Sequence, residues 1–287
     1  MSAKPASHTP SVRIPKPIRT AARILELTSP KLAAKFAMKL FMTPVKYPVP
    51  KREREMDEGS MQKLLSVPAI GKSVNVYLYG AFEKKVLLVH GWSGRGTQLC
   101  SIAERLLKCG YSTVSFDGPA HGKSSGKTSD MTEFIAAIKE IEVQFGPFDF
   151  AIGHSLGGMA VLNALKQGLD VNKAVIIGSG DIITDIIDDF IHNLGMNIET
   201  GKLMLKLFEK RFGETANDYS AYIAAQHVTI PVLVIHDEDD TDVPVSAARH
   251  IAAHLPHGRV MITQGLGHRK ILGDAKVIKT ITEFLTT

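Results

Sequence analysis

The 287-residue sequence predicts an α/β fold in which a mostly parallel sheet carries helices on both faces, and three observations lead there. From residue 85 onward, short continuous apolar runs such as 85–89 and 173–177 alternate with stretches of helical periodicity. Such runs are what strands buried on both faces look like when helices cover them. A second observation is the apolar run at 150–152, which breaks into Gly-x-Ser-x-Gly at residues 153–157 and continues at helical spacing over 156–166. That is a sharp strand-turn-helix centred on Ser155. Thirdly, the alternation stops between Gly180 and Thr229, where only helical periodicity is found.

Residues 1–17, rich in Pro, Ser and Lys, are expected to form a flexible or extended arm. Two helices follow, over 19–27 and 29–42. In the second, Ser29 can cap, Pro30 suits the first helical position, and Leu32, Phe36 and Leu40 recur every four residues. Lys31, Lys35 and Lys39 recur beside them. A basic amphipathic helix of this kind can lie on an anionic membrane. The favoured reading for residues 19–42 is instead that the helix covers an apolar patch of the main domain, with its lysines in water. Residues 1–54 hold 12 lysines and arginines against Glu26 and Glu53, so the basic character belongs to this segment and the remaining chain is net acidic, within a total of +5. No nucleic-acid-binding motif or interleaved aromatic pattern accompanies the charge, which argues against a nucleic-acid partner.

Residues 61–79 predict two strands joined at 68–71. The second alternates Val74, Val76 and Leu78 with Asn75, Tyr77 and Tyr79, the pattern of an antiparallel opening hairpin. Strands are then expected at 85–89, 112–116, 150–152, 173–177, 232–235 and 260–263. The intervening helices are expected at 98–108, 132–144, 156–166, 246–254 and 276–284. Residues 182–191, 202–212 and 219–226 predict the helices of an insertion. Because sites in such sheets lie at the carboxyl ends of the strands, where this insertion emerges, it reads as a lid. The chain is accordingly divided into a basic N-terminal part (1–55), a first core part (56–180), a lid (181–228) and a second core part (229–287).

Apolar and charged fractions are those of a soluble globular protein, and no apolar run approaches the ~20 residues of a membrane span. The N-terminus shows no continuous apolar core before a cleavage site, so a cytoplasmic location is expected. Cys100 and Cys109, nine positions apart on one predicted helix, are too distant to bridge and read as free thiols of a reducing compartment. No Cys/His cluster has metal-ligand spacing.

A serine hydroxyl becomes a nucleophile when an oriented base, itself held by a carboxylate, takes its proton. After Ser155 the strand at 232–235 ends in His236-Asp-Glu-Asp-Asp-Thr-Asp-Val-Pro244, and that at 260–263 ends in Gly265-Leu-Gly-His268. Both deliver residues to the active edge, in the order serine, acid, histidine.

With Val89-His-Gly-Trp92, Asp117-Gly-Pro-Ala-His-Gly-Lys-Ser124, Gly153-His-Ser-Leu-Gly157, Asp240 with Val243-Pro244, and Gly267-His268, residues 60–287 resemble the alpha/beta-hydrolase family. The resemblance implies an eight-stranded, mostly parallel sheet with a cap after strand six, and no cofactor or metal. Ser155 carries over as nucleophile and His268 as base. Family members commonly read His-Gly-x-x-Asp-x-x-Val-Pro; position matching selects Asp240 as the acid, although Asp237 stands in the glycine's place and further acids occupy 238, 239 and 242. A calcium loop at 237–242 would need glycine at its sixth position and a bidentate acid at its twelfth, and has neither.

The backbone N–H groups of Leu156 and Trp92 are the expected oxyanion donors, with Ser93 the alternative to Trp92. His90, His121 and His154 are expected to hold loops through hydrogen bonds. The activity implied is that of a serine esterase on small-molecule esters of small to medium carboxylic acids, through an acyl-serine intermediate. Thioesters and certain carbon–carbon bonds are served by the same triad. A ligand-binding protein that had lost catalysis would be expected to lack a triad member, and this chain retains all three. The N-terminal segment, without a catalytic motif, is expected to be dispensable for chemistry.

Overall fold

The computed structural model describes residues 14–213 and 215–287; the expected arm lies largely outside them. Strands β1 (Met61–Val67) and β2 (Lys72–Tyr79) pair antiparallel, Met61 opposite Leu78. The others are β3 (Lys85–Val89), β4 (Ser112–Phe116), β5 (Phe150–His154), β6 (Lys173–Ile177), β7 (Val232–Asp237) and β8 (Gly258–Thr263). They form one eight-stranded sheet in the order β1-β2-β4-β3-β5-β6-β7-β8, in which β2 is also antiparallel to β4 and all later pairs are parallel.

The helices are α1 (Lys16–Thr28), α2 (Pro30–Phe41), α3 (Arg54–Gly59), α4 (Cys100–Lys108), α5 (Met131–Phe145), α6 (Leu156–Lys166), α7 (Ile183–Leu194), α8 (Ile198–Phe212), α9 (Ala221–Ala225), α10 (Val245–Ala253), α11 (Gly267–Lys270) and α12 (Ala275–Thr286). Alternate residues of each strand face opposite layers. Leu87, Val89, Ala151 and Ile176 pack under α5 and α6, whereas Val86, Leu88, Ile152 and Ile177 pack under α4 and α12. Burial on both sides is why these strands read as unbroken apolar runs. The chain winds outward from β3 to β4 and returns to β5 on β3's other side, so the loops after β3 and β5 diverge at a switch point.

Helix α1 begins at Lys16, inside the stretch read as an arm, because Pro17 occupies the first turn, where a missing N–H and a fixed φ suit a helix. Helices α1 and α2 pack on α7 and α8, the insertion between β6 and β7, rather than on the sheet. The face that docks also differs from the expected one. Ala33, Ala34 and Ala37 are buried, Leu32 is 53% exposed, and Phe36 and Leu40 lie at the flank. Alanines let α2 approach α8 closely, which larger side chains at those positions would prevent. Lys31, Lys35 and Lys39 face solvent.

Polar contacts fix the docking. Arg23 Nε donates to Gly195 O at 3.1 Å, and Glu26 Oε1 accepts from the Asn197 N–H at 2.8 Å and Thr200 Oγ1 at 2.5 Å. The chain then runs back across the loops that follow β3 and β4. Ser93 Oγ accepts the Val45 N–H at 3.0 Å, Lys46 Nζ donates to Gly122 O at 2.9 Å, and buried Glu53 accepts Thr97 Oγ1 at 2.9 Å. Among the described residues, no helix is long and apolar enough to cross a membrane.

Ala37→Glu would force a carboxylate into the α2–α8 crossing. With overpacking alone costing roughly 1–3 kcal/mol, its melting temperature is expected to fall by several degrees in calorimetry. Lys35→Glu, on the open face, should melt close to wild type. Equal midpoints for both variants would show that α2 is not seated as described.

Candidate active site

The turn between β5 and α6 places Ser155 at φ 54°, ψ −121°, a left-handed conformation that favours glycine and is strained for a residue with a side chain. Close approach enforces it. A Cβ on Gly157 would lie 2.3 Å from Val89 O, and one on Gly153 would lie 2.3 Å from Gly157 O. The Ser155 N–H bonds to Ile177 O at 2.9 Å, tying the turn to β6. Leu156 is the first residue of α6, and its N–H is one of the donors that a helix start leaves unpaired, in the positive end of the helix dipole.

The loop after β3 reaches this turn at Gly91, where a Cβ would sit 2.9 Å from Ser155 Cβ. Two buried histidines hold the loop. His90 Nδ1–H donates to Gly91 O at 2.7 Å, and its Nε2 accepts the Gly118 N–H at 2.8 Å. His121 Nδ1–H donates to Pro119 O at 2.9 Å, and its Nε2 accepts the Ser93 N–H at 3.1 Å. Each ring thus serves once as donor and once as acceptor, which only neutral imidazole can do. Burial favours that form, lowering His90 to about 4 and, with His90 nearby, His121 to about 3. The Ser93 N–H is engaged by His121, so of the two candidate donors in this loop it is Trp92 whose N–H has no described acceptor. The Trp92 indole stands edge-on to His121, with centroids 4.9 Å apart.

Asp240, in the turn after β7, is 1% exposed, and its Oδ2 accepts His268 Nδ1–H at 2.7 Å. Its Oδ1 accepts the N–H groups of Asp242 at 2.8 Å and Val243 at 2.9 Å. Burial alone would raise its pKa. Hydrogen bonds from His236 and His268 and from the Val243 N–H outweigh burial and hold the carboxyl well below the usual carboxylate range. Since His268 Nδ1 carries the proton toward Asp240, its Nε2 is left as the basic nitrogen. His154 Nε2–H donates to His268 O at 2.9 Å and the two rings lie 4.7 Å apart, so the residue before Ser155 braces the histidine. Burial, then the proximity of His268, lowers His154 to about 3.

The structure therefore brings Asp240 and His268 together beside the Ser155 turn. No hydrogen bond joins Ser155 Oγ to His268 in this structure; nucleophile–base bonds often tighten only with substrate bound.

The neighbouring acids have roles that motif matching did not reveal. Asp237 accepts the N–H groups of Gly267 at 2.8 Å and Leu266 at 3.2 Å and Thr263 Oγ1 at 2.7 Å, and Asp239 Oδ2 accepts the Gly265 N–H at 2.8 Å. Where the motif that the resemblance implies has glycine, this chain has a carboxylate that clamps the His268 loop. Its signal was the density of acids opposite a Gly-x-Gly turn. His236 was missed as well: its Nε2 lies 3.3 Å from Asp240 Oδ2 and 3.0 Å from Val243 O.

A cavity of about 440 Å³ opens over Ser155, between Trp92, Leu156 and Met159 below and Ile186, Phe190 and Phe208 of the insertion above. Leu40 and Phe41 of α2 complete its wall. The segment expected to be dispensable for chemistry contributes to the cavity's surface, because α2 docks on the helices that roof the site.

The architecture has many relatives among solved structures. An esterase from Exiguobacterium antarcticum matches with a TM-score of 0.64 at 19% identity, over 79% of this chain and 100% of that one. An esterase of Pyrococcus furiosus matches with a TM-score of 0.65 at 19% identity, over 85% and 98%. At such identities the likeness is one of fold. The model of the alpha/beta hydrolase family matches residues 86–277, from β3 into α12, and the chain belongs to that family. Among curated proteins, a pimeloyl-[acyl-carrier protein] methyl ester esterase of Aromatoleum aromaticum is 23% identical, over 69% of this chain and 96% of its own length.

The three neutral histidines make acid stability a test of this geometry. Their pKa values of about 4, 3 and 3 for His90, His121 and His154 lie below the ~6.5 of an unfolded histidine, so the unfolded chain binds more protons between those limits. Their contribution is intact above pH ~6.5 and is lost as pH falls toward ~4. Unfolding at pH ~5 should take up close to three protons through these rings, read from the slope of the urea-unfolding free energy against pH, and His121→Gln should remove about one. A flat profile between pH ~6.5 and ~5 would mean that the rings are charged in the folded protein.

Proposed function

We propose that this protein is a serine esterase that cleaves esters of small to medium carboxylic acids through an acyl-serine intermediate. The observation that carries the reading is the buried Asp240–His268 hydrogen bond of 2.7 Å, placed by His154 against a serine held in a strained strand-to-helix turn. Names among its relatives support the ester as substrate, since the curated match is called a methyl ester esterase and several structural neighbours are called esterases. Free thiols at Cys100 and Cys109 are in keeping with a reducing, cytoplasmic setting.

In this reading His268 Nε2 takes the Ser155 hydroxyl proton as Oγ attacks the ester carbonyl carbon. Asp240, charged throughout, keeps the imidazole in the Nδ1–H tautomer and stabilises the imidazolium that forms. The carbonyl π electrons move onto oxygen, where the N–H groups of Leu156 and Trp92 receive the negative charge. Collapse of the tetrahedral species breaks the bond to the alkoxy group, which leaves as alcohol with the proton from His268. Water, deprotonated by the same nitrogen, then attacks the acyl-serine and releases the carboxylic acid.

Ser155→Ala and His268→Ala are each expected to lower kcat on p-nitrophenyl esters by about 10⁶-fold, the loss seen when a serine protease triad is broken. Asp240→Asn should cost about 10⁴-fold by leaving the wrong tautomer. Asp237→Asn, which loosens only the loop clamp, should cost far less. A fluorophosphonate probe should label wild type at Ser155. Turnover by Ser155→Ala comparable to wild type, or a crippled Asp237→Asn beside an active Asp240→Asn, would overturn the assignment.

A further inference from the structure

Resting on the reading of Ser155 as nucleophile, we propose that the N-terminal hairpin α1–α2 is a working wall of the acyl-binding site. Leu40 and Phe41 set its depth, and the site takes uncharged aliphatic acyl chains in preference to chains that end in a carboxylate.

The last turn of α2 meets the cavity. The Phe41 ring packs edge-on against Phe190 of α7 (5.1 Å, 67°) and Phe208 of α8 (6.1 Å, 79°), joining three helices in one aromatic wall. Edge-to-face pairs of this kind hold a defined geometry. Immediately beyond, Met42 O accepts the Ser129 N–H at 2.8 Å, and Ser129 also lines the cavity. With the ties of Arg23 and Glu26 to the insertion, the hairpin is anchored at both ends. It is therefore held at a fixed place against the insertion, which is what a chain-length gauge requires.

Size and charge point to the occupant. At the ~30 Å³ that a water takes in the liquid, the cavity of about 440 Å³ holds roughly fifteen non-hydrogen atoms. That suits a chain of about eight to twelve carbons with the ester group at Ser155. Each methylene buried against such a wall is worth about fourfold in binding. Among the described lining residues there is no Lys, Arg or His, whereas Asp130, Asp189 and Asp242 are present. A carboxylate at the far end of the chain would lose its water against a lining that offers no Lys, Arg or His among its described residues.

The test is a kcat/KM profile of the full-length protein on p-nitrophenyl acetate, butyrate, octanoate, decanoate and dodecanoate, with the p-nitrophenyl monoester of decanedioic acid as the charged comparison. Wild type should rise from acetate to an optimum at about eight to twelve carbons, and the charged ester should be poorer than decanoate by about tenfold or more. Phe41→Trp should move the optimum to shorter chains and Phe41→Ala to longer ones, chiefly through KM, each variant being checked for its melting temperature. Opposite shifts are a signature that mere loss of structure does not produce; Phe41→Leu, a smaller change, should lie between wild type and Phe41→Ala. Equal losses on every ester in all three variants would overturn the role of Phe41, and a charged ester as good as decanoate would overturn the acyl class. If wild type labels at Ser155 and cleaves butyrate with a flat chain-length profile, the hairpin inference alone fails. If no ester is cleaved and Ser155 is not labelled, the underlying reading falls and this inference with it.

Discussion

Ser155 occupies a backbone conformation that costs a residue with a side chain about 1–3 kcal/mol, and much of the sheet's carboxyl edge is arranged to keep it there. The turn is clamped from below by β6, through Ile177 O, and is shaped by two glycines whose Cβ atoms would meet backbone oxygen at 2.3 Å. Strain of this kind persists only where neighbours over-determine it. Here the strands on either side and the first turn of α6 all contact the same five residues. What is obtained is a hydroxyl lifted off the sheet, with the start of a helix directly behind it.

The electrostatic arrangement around that turn follows one rule. Neutral imidazoles stand where the backbone needs one donor and one acceptor, and a charged carboxylate stands where enough hydrogen bonds converge to offset its burial. His90 and His121 are neutral because burial penalises their charged form and because each ring accepts from an N–H. Asp240 is just as buried but receives two N–H groups and two imidazoles, and remains ionised. Asp237 shows the same balance, since its four hydrogen bonds exceed the penalty of its burial. The acid that orients His268 and the acid that fixes its loop are thus three residues apart on one turn.

The N-terminal hairpin ties the two halves of the site together. Its alanine face meets the insertion, its lysines face water, and the chain that follows it is bonded to the loops after β3 and β4. A basic segment without any chemical motif of its own thereby supplies part of the wall of the cavity over Ser155.

The sequence by itself determined the strands, the elbow at Ser155 and the meeting of Asp240 with His268. Strands buried on both faces are mostly apolar, as 85–89 and 173–177 are, and Gly153 is demanded by Gly157 O within the same turn, so both leave a local mark, although Gly157 answers to Val89 O on a distant strand. Residues 237–244 and 265–268 were legible because strand ends deliver them in a set order. The docking face of α2 was not, because Leu32, Phe36 and Leu40 make as good a stripe as Ala33, Ala37 and Phe41 until the partner surface is known. The clamps of Asp237 and Asp239 depended likewise on a loop that lies 26 to 30 residues further along the chain. The tie from Arg23 to Gly195 spans 172 residues. Periodicity and backbone sterics act over one or two turns and are written in sequence, whereas the choice of which surfaces meet is made only when the whole chain has packed.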